Sequence, residues 1–386
     1  MTTGPLQGVR VVDLTAMVMG PYCTQIMADM GADVIKVETP AGDNTRYISV
    51  GPAPGMSGVF VNVNRGKRSV VLDLMSPQGK DDLRALIADA DVFIHSMRAK
   101  AITKLGFGYD EVAAINPGIV YTNCYGYGRR GPDADRPAYD DTIQAECGLP
   151  AVQEQLTGEA SYVGTIMADK VAGLTALYAT MMALFHRERT GEGQEVEVSM
   201  FETMASFMLV EHANGAMFDP PLSPAMYPRA VTPNRRPYET KDGHIAALVY
   251  NDKHWNAFIE RVQPAWMAEY GPALASLEQR AQQIDTVYAL VAQTLKERTT
   301  AEWLDLFGDL EIPAAPMLTP DELFENEHLN AVGLFETLDT PHGRVRIPGV
   351  PTWFSRTPGR VAGYAPELGA DTAEVLAQLG SRDKSG

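Results

Sequence analysis

VRVVDLTAMVMGPYCTQIMADMGADVIKVE, residues 9–38, decides the fold class. Val9–Leu14 is a short β-rich run. Pro21 suits the first turn of a helix that continues through Met30, Gly31 stops that helix, and Asp33–Glu38 is the next β-rich run. Two strands joined through a helix pair in parallel. The pattern then repeats. Ser69–Leu74, Asp91–His95 and Gly118–Asn123 are further strands, and Pro77–Ala88 is helical with Leu83, Leu86 and Ile87 on one face. An open α/β sheet is therefore expected.

Working outward, residues 126–168 are rich in Gly, Pro and Asp and read as loops with one helical stretch near Thr142–Cys147. A long helix follows over Lys170–Arg189, with small residues (Ala172, Gly173, Ala176, Ala179) in its first half. Gln194–Met200 is a strand and Phe201–His212 a helix. Residues 213–240 form a Pro-rich, aromatic crossing. Beyond it come a strand at Ile245–Val249 and helices at Lys253–Val262, Leu277–Arg298 and Ala301–Gly308. Leu334–Asp339 and Arg344–Ile347 are two more strands, and Thr372–Leu379 is a final helix. The expected division is a large domain begun by 1–212, a linker at 213–240, a smaller α+β domain over 225–320, and 321–386 as linker and C-terminal return to the large domain.

Composition narrows the functional classes. The 386 residues carry a formal charge of −17, which repels nucleic acid and anionic membrane, so neither is an expected partner. An anionic ligand would need a local basic cluster. Three such clusters flank the strands: Arg65-Gly66-Lys67-Arg68, then Arg98 with Lys100 and Lys104, then Arg129-Arg130. The three cysteines form no C-x-x-C pair and fit a reduced, cytoplasmic setting. No stretch approaches the roughly 18 apolar residues of a membrane span. The turn Thr15–Gly20 has a single glycine, so Met17 and Met19 would hold a dinucleotide pyrophosphate off the backbone, although Glu38 stands where a ribose-binding acid would. No histidine pair has metal-ligand spacing, so no metal is expected. No G-x-S-x-G elbow occurs either.

Asp169 stands at the predicted start of the long helix. There an Asp is either a plain N-cap or a carboxylate kept ionised by free amides and the helix dipole, as a nucleophile requires. Position alone favours the cap.

The surrounding sequence resembles the class III CoA-transferase family, which includes formyl-CoA and carnitine CoA-transferases and α-methylacyl-CoA racemase. The resemblance rests on an ordered set. Its pieces are Gly20-Pro21 with Gly31–Glu38; Asn64 with Lys67-Arg68-Ser69 and Leu72-Asp73-Leu74; Asn116-Pro117; Gly126-Tyr127-Gly128 with Gly131-Pro132; Asp169 with Ala172-Gly173; Arg187 with Thr190–Gln194; Ile312-Pro313; and Glu374-Val375-Leu376 with Leu379-Gly380.

The resemblance implies a Rossmann-like open parallel sheet domain built from both chain ends, a smaller α+β domain, and an interlocked homodimer. It implies transfer of coenzyme A from an acyl-CoA to a small or medium carboxylic acid, with Asp169 as nucleophile passing through an aspartyl anhydride and an aspartyl-CoA thioester. Loop amides around Gly126–Gly128 are candidate oxyanion donors. Tyr139 and Asp140 match positions near the reactive centre. Val18, Met19, Thr39, Leu72, Met75, Met97, Arg98, Lys104 and Leu105 match positions that line the CoA nucleotide and pantetheine. Coenzyme A is thus the implied co-substrate.

There are departures. Ala16 stands where formyl-CoA transferases carry a His, a basic residue is missing near Thr39, and His95-Ser96-Met97 replaces a frequent Glu-Asn-Phe. The glycine run that covers the nucleophile in formyl-CoA transferases is absent. Tyr139 occupies the place of the racemase His, which removes a base from the racemase alternative. A non-catalytic acyl-CoA-binding protein is the third reading. Met17, Met19, Met97, Met200 and Met204 suit either an adaptable acyl site or ordinary core packing.

Overall fold

The computed structural model describes residues 4–249 and 251–382, which separate into two compact units. The first unit is drawn from three stretches: up to Cys147, Val163–Phe207, and from Glu327 onward. It is a mixed α/β body built on six strands: β1 Arg10–Leu14, β2 Asp33–Glu38, β3 Arg68–Val71, β4 Val92–His95, β5 Val120–Tyr125 and β6 Gln194–Ser199. Their order is β3-β2-β1-β4-β5-β6 and every neighbouring pair is parallel. The winding reverses between β1 and β4. In open α/β sheets the crevice beyond the carboxyl ends of the strands at that point is where ligands bind.

The helices that matter for the site are α1 Met19–Asp29, α2 Pro77–Ala88, α3 Asp140–Glu146, α4 Met167–Thr190 and α5 Met200–His212. α2 begins where its sequence says it should. Ser76 accepts the Gly79 N–H at 3.0 Å, and Leu83, Leu86 and Ile87 go into a core shared with Val12, Ile35, Val70 and Phe93 of the sheet. The small residues of α4 let it approach α1. A Cβ on Gly173 would fall 2.7 Å from the Met19 carbonyl oxygen, so the two backbones touch there. At the sheet edge, the chain near its C-terminal end covers β3. Asp371 and Ser69 exchange hydrogen bonds of 3.0 and 2.7 Å, and Thr372 Oγ1 accepts the Val71 N–H. This shields an otherwise open strand.

Beneath the carboxyl ends of β1 and β2 lies a buried ionic network. Lys67 Nζ meets Asp13 at 3.0 Å, Lys36 Nζ meets Asp43 at 2.9 Å, and Arg46 grips Glu38 with contacts of 2.6 and 2.8 Å. Burial by itself would raise Asp13. Lys67, Lys36 and the hydroxyls of Thr15 and Thr24 outweigh it and hold the carboxyl at about 2. Burial likewise lowers Lys67, to about 8, against the pull of Asp13. The network shapes the β1–α1 turn. Asp13 accepts the Thr15 N–H, Lys36 donates to the Thr15 carbonyl, and Asp43 Oδ1 accepts the Met17 N–H at 3.3 Å. Met17 is thereby kept at φ +68°, an uncommon conformation for a side-chain-bearing residue.

The second unit comprises Gly148–Tyr162 and Met208–Asn326. Its small antiparallel sheet is β7 Tyr238–Glu239, β8 His244–Ala247 and β9 Ala314–Pro316. Helices α6 Asp252–Val262, α7 Ile284–Leu295 and α8 Thr300–Asp309 pack on it through Trp255, Phe258, Val291, Trp303 and Phe307.

Four sequence expectations change. The helix expected over Leu277–Arg298 breaks at Gln283, between Leu277–Gln282 and α7. A helix at Leu149–Thr157 lies within the stretch read as loop. Its Gly148 and Pro150 are punctuation that also suits a helix start. Asp169 is not the cap of α4, because the helix begins two residues earlier, at Met167. Finally, the basic run Arg65–Arg68 is not an anion site. Arg65 pairs with Asp29, Lys67 with Asp13 and Arg68 with Asp33, so all three cations are spent on internal carboxylates.

Candidate active site

A cavity of about 360 Å³ opens at the carboxyl edge of the first unit's sheet. Five of the six strand ends contribute to it. Ala16, Met17 and Met19 follow β1, Asn44 follows β2, Ser96 and Arg98 follow β4, Cys124–Gly126 end β5, and Met200 follows β6. The loop 134–139 forms one rim, and Asp169 lines the cavity from the first turn of α4. The rim fits closely because Gly126 has no side chain. A Cβ there would sit 2.3 Å from that of Ala138.

Asp169 is half-buried and its surroundings are electrostatically unusual. Its carboxyl is raised to about 6. Burial is the first cause and the neighbouring Asp140 carboxylate the second, while an N–H from Met19 pulls the other way. Asp169 therefore stays largely ionised at pH 7, as expected from the sequence, but it is more basic than an ordinary aspartate because desolvation and a like charge act on it. Asp140 is 6% exposed at the start of α3. Its Oδ1 accepts the Asp169 backbone N–H at 3.0 Å, and its Oδ2 accepts from Gln144 at 2.5 Å. The free amide at the third position of α4 is thus satisfied by a residue from another helix. Tyr139 lies on the rim, 63% exposed, and Thr142 Oγ1 fixes its backbone from both sides, accepting its N–H and donating to its C=O.

The sequence-predicted residues divide by place. Asp169, Tyr139, Met19 and Arg98 line this cavity, with Asp140 directly behind it. Val18 lines a different, mostly apolar cavity of about 590 Å³ together with Tyr22, Ile26, Leu174 and Phe354. Leu72 is buried in the sheet core, and Met97 and Leu105 pack against that core. Thr39, Met75 and Lys104 are exposed.

Two polar lining residues, Asn44 and Arg136, were not noted in the sequence, and a third, Ser96, was noted only as part of the His95-Ser96-Met97 departure. The signal for Ser96 was its place just after β4. Its Oγ accepts the Ala16 N–H at 3.0 Å and ties two strand-end turns together. Arg136 stacks 4.8 Å over Tyr127, and Glu146 accepts from both side chains. His95, noted in the sequence as a departure, is buried and pushed down to about 4 by that burial. Its Nδ1 accepts the Met97 N–H at 3.2 Å, so Nε2 carries the proton and donates to Tyr121, which donates to the Phe107 carbonyl. The ring shapes the turn that presents Ser96 and Arg98.

Of the Gly126–Gly128 amides, the Gly128 N–H donates to Glu202 at 2.9 Å, and the following Arg129 N–H donates to Glu197, while Gly126 lines the cavity. Arg129 itself is held by Glu195 and Glu197. Among the described residues, no group of three or more His, Cys, Asp or Glu side chains could hold a metal ion, and no helix is long and apolar enough to cross a membrane.

Comparison with known proteins adds three findings. The profile of CoA-transferase family III matches residues 6–372. The chain is 32% identical to a succinate–glutarate CoA-transferase of Agrobacterium fabrum, over 97% of this chain and 96% of that one. It is 32% identical to a succinyl-CoA:mesaconate CoA-transferase of Haloarcula marismortui, over 98% and 97%. Among solved structures, a CaiB/BaiF family protein from Brucella suis superposes with a TM-score of 0.82 at 29% identity, over 98% of this chain and all of that one.

Proposed function

The chain belongs to CoA-transferase family III, and on that premise we propose that Asp169 is the nucleophile with which it moves coenzyme A from an acyl-CoA to a carboxylic acid. The observation that carries this reading is the position of Asp169. It is a half-buried carboxylate at the ligand-binding edge of a parallel sheet, lining the cavity beside Met19 with Asp140 behind it.

The chemistry follows from those neighbours. With its carboxyl at about 6, Asp169 is mostly ionised at pH 7 and more basic than an ordinary aspartate. It attacks the thioester carbonyl carbon, the C–S bond breaks, and the CoA thiolate leaves an acyl-aspartyl anhydride. The thiolate then attacks the aspartyl carbonyl and expels the first acid. The acceptor carboxylate attacks the aspartyl-CoA thioester, and the returning thiolate takes the new acyl group and frees Asp169. When the aspartyl carbonyl is attacked, an oxyanion develops on Asp169 itself. The Met19 N–H, in the first turn of α1, lowers the Asp169 carboxyl, and it is a candidate donor to that oxygen alongside the amides of the Gly126–Gly128 region. Asp140 holds the backbone of Asp169 and raises its basicity. Tyr139 and Arg136 on the rim meet the acyl group or acid. Met19 and Arg98 meet the pantetheine and a phosphate, with Lys104 and Met75 offering further exposed contacts along the same edge of the sheet.

Because the similar proteins named above act on succinate, glutarate and mesaconate, the acids proposed here are short dicarboxylates. A homodimer, interlocked as the resemblance implies, is supported by an apolar stripe on α4. Leu174, Tyr178, Met182 and Phe185 recur at helical spacing and stay 45–66% exposed. The strand order supports the Rossmann-like description of the first unit, and a cysteine set with no C-x-x-C pair fits the cytoplasm.

The deciding experiment is exchange of labelled succinate into succinyl-CoA by Asp169→Ala, combined with hydroxylamine trapping during turnover. Loss of exchange, with a modified peptide at Asp169 in the unaltered protein only, is the expected result. Full exchange by the variant rejects the proposal.

A further inference from the structure

The second unit has a basic groove that the reaction above does not use. It encloses about 530 Å³ on the outer face of the small sheet. Arg229, Arg235 and Arg236 line it, and none of its described lining residues is acidic. That concentration is notable in a chain whose 49 acidic residues outnumber its 32 basic ones. Uniform solvated charge would not give three guanidiniums facing one concavity without a single carboxylate on its walls.

The groove is built by the fold. On the outer face, β8 and β9 place Ala246 opposite Ala315, so the floor carries methyl groups where longer side chains would fill the space. The segment that bears the arginines is clamped by one face of α7. Asp285 accepts from Thr232 and Asn234, and one turn further Tyr288 accepts from Arg229 Nε at 3.0 Å. Arg229 is half-buried and held by phenol oxygens, while Arg235 and Arg236 project at the rim.

We propose that this groove of the second unit is an anion-binding site for a small organic dianion. Its charged ends would be taken by the arginine forks and its short carbon chain laid on the alanine floor. Guanidinium forks match planar carboxylates and tetrahedral phosphates alike, so the shared chemistry is a pair of oxyanions a few carbons apart or one doubly charged phosphate. More than one arginine is needed because a single exposed ion pair is worth little in water. The inference stands apart from the role of Asp169.

The test uses the full-length protein, titrated calorimetrically with glutarate, inorganic phosphate and propionate at low and high salt. At least one dianion binds, more tightly than propionate, and binding weakens with salt. The Arg235→Ala/Arg236→Ala variant loses about tenfold or more in affinity, the loss expected when charge-assisted bonds are removed. Asp169→Ala binds the dianion as the unaltered protein does. Glutarate against phosphate identifies which oxyanion the site prefers. Because both arginines are exposed, the double variant keeps its thermal midpoint. The bound dianion also protects the Arg235–Arg236 peptide from phenylglyoxal, read by mass spectrometry. Unchanged affinity in the double variant, no protection of the Arg235–Arg236 peptide in the unaltered protein, propionate binding as tightly as either dianion, or no dianion binding at all would overturn the proposal.

Discussion

Asp13 and Asp169 both belong to the first unit and both help define the same cavity, one from below and one from its wall. Asp13 is wholly buried, meets two lysines and two hydroxyls, and is held at about 2. Asp169 is only half-buried, meets another carboxylate and one backbone N–H, and is pushed to about 6. Burial acts in the same direction on both. The partners decide the outcome. A carboxylate surrounded by compensation is scaffold, because nothing remains for it to attack or accept. A carboxylate left under-compensated at a cavity wall keeps its basicity, and that is the condition a nucleophile needs.

Substitutions break this contrast in order of size. Asp169→Ala removes the proposed nucleophile, and CoA exchange should fall by about 10³-fold or more, on the scale seen when covalent catalysis is lost, as measured by steady-state kcat. Lys67→Met leaves Asp13 buried without its closest cation. Chemical denaturation should then show a loss of about 3–5 kcal/mol, the usual consequence of removing one partner of a buried pair.

Asp169→Asn should do the reverse. A raised carboxyl binds its proton more tightly in the folded state than in the unfolded one, so its contribution to stability is full below pH about 4 and is lost as pH rises through about 6. The neutral variant should therefore be more stable than the parent at pH 8, by on the order of 1–3 kcal/mol, with the difference vanishing in acid. Coincident stability curves for the two proteins across that range would contradict the shift. Smallest is the effect of Asp140→Asn. The parent's kcat/KM should rise with pH through a limb near 6, and removing the neighbouring charge should move that limb toward lower pH, because repulsion is only the second cause of the shift. A limb that stays in place would mean burial acts alone.

Much of the sheet was legible because each strand is short and β-rich, and most are bounded by Gly or Pro. The stretch at 9–38 gives β1, α1 and β2 within two residues of the observed ends. What escaped the sequence depends on partners far along the chain. The Arg65–Arg68 run looked like an anion site because its carboxylates are 36, 54 and 35 residues away, at Asp29, Asp13 and Asp33. Asp169 looked like a cap because the group that satisfies its N–H is Asp140, 29 residues earlier on a separate helix. Lys36, Glu38 and Lys67 belong to the ordered set behind the family resemblance, and nothing local distinguishes them from ligand contacts. Their place in a closed network appears only when β1, β2 and β3 lie side by side.

The contact of Gly173 with the Met19 carbonyl has a practical consequence. The proposed nucleophile and its proposed oxyanion donor ride on two helices whose main chains are in direct contact, whereas Tyr139 and Arg136 ride on a separate loop laid against Gly126. The reacting pair therefore behaves as a fixed machine head and the 134–139 loop as an interchangeable jaw. Libraries that vary the loop while sparing Ala138 can retune which acid is accepted and leave the bond-making step intact.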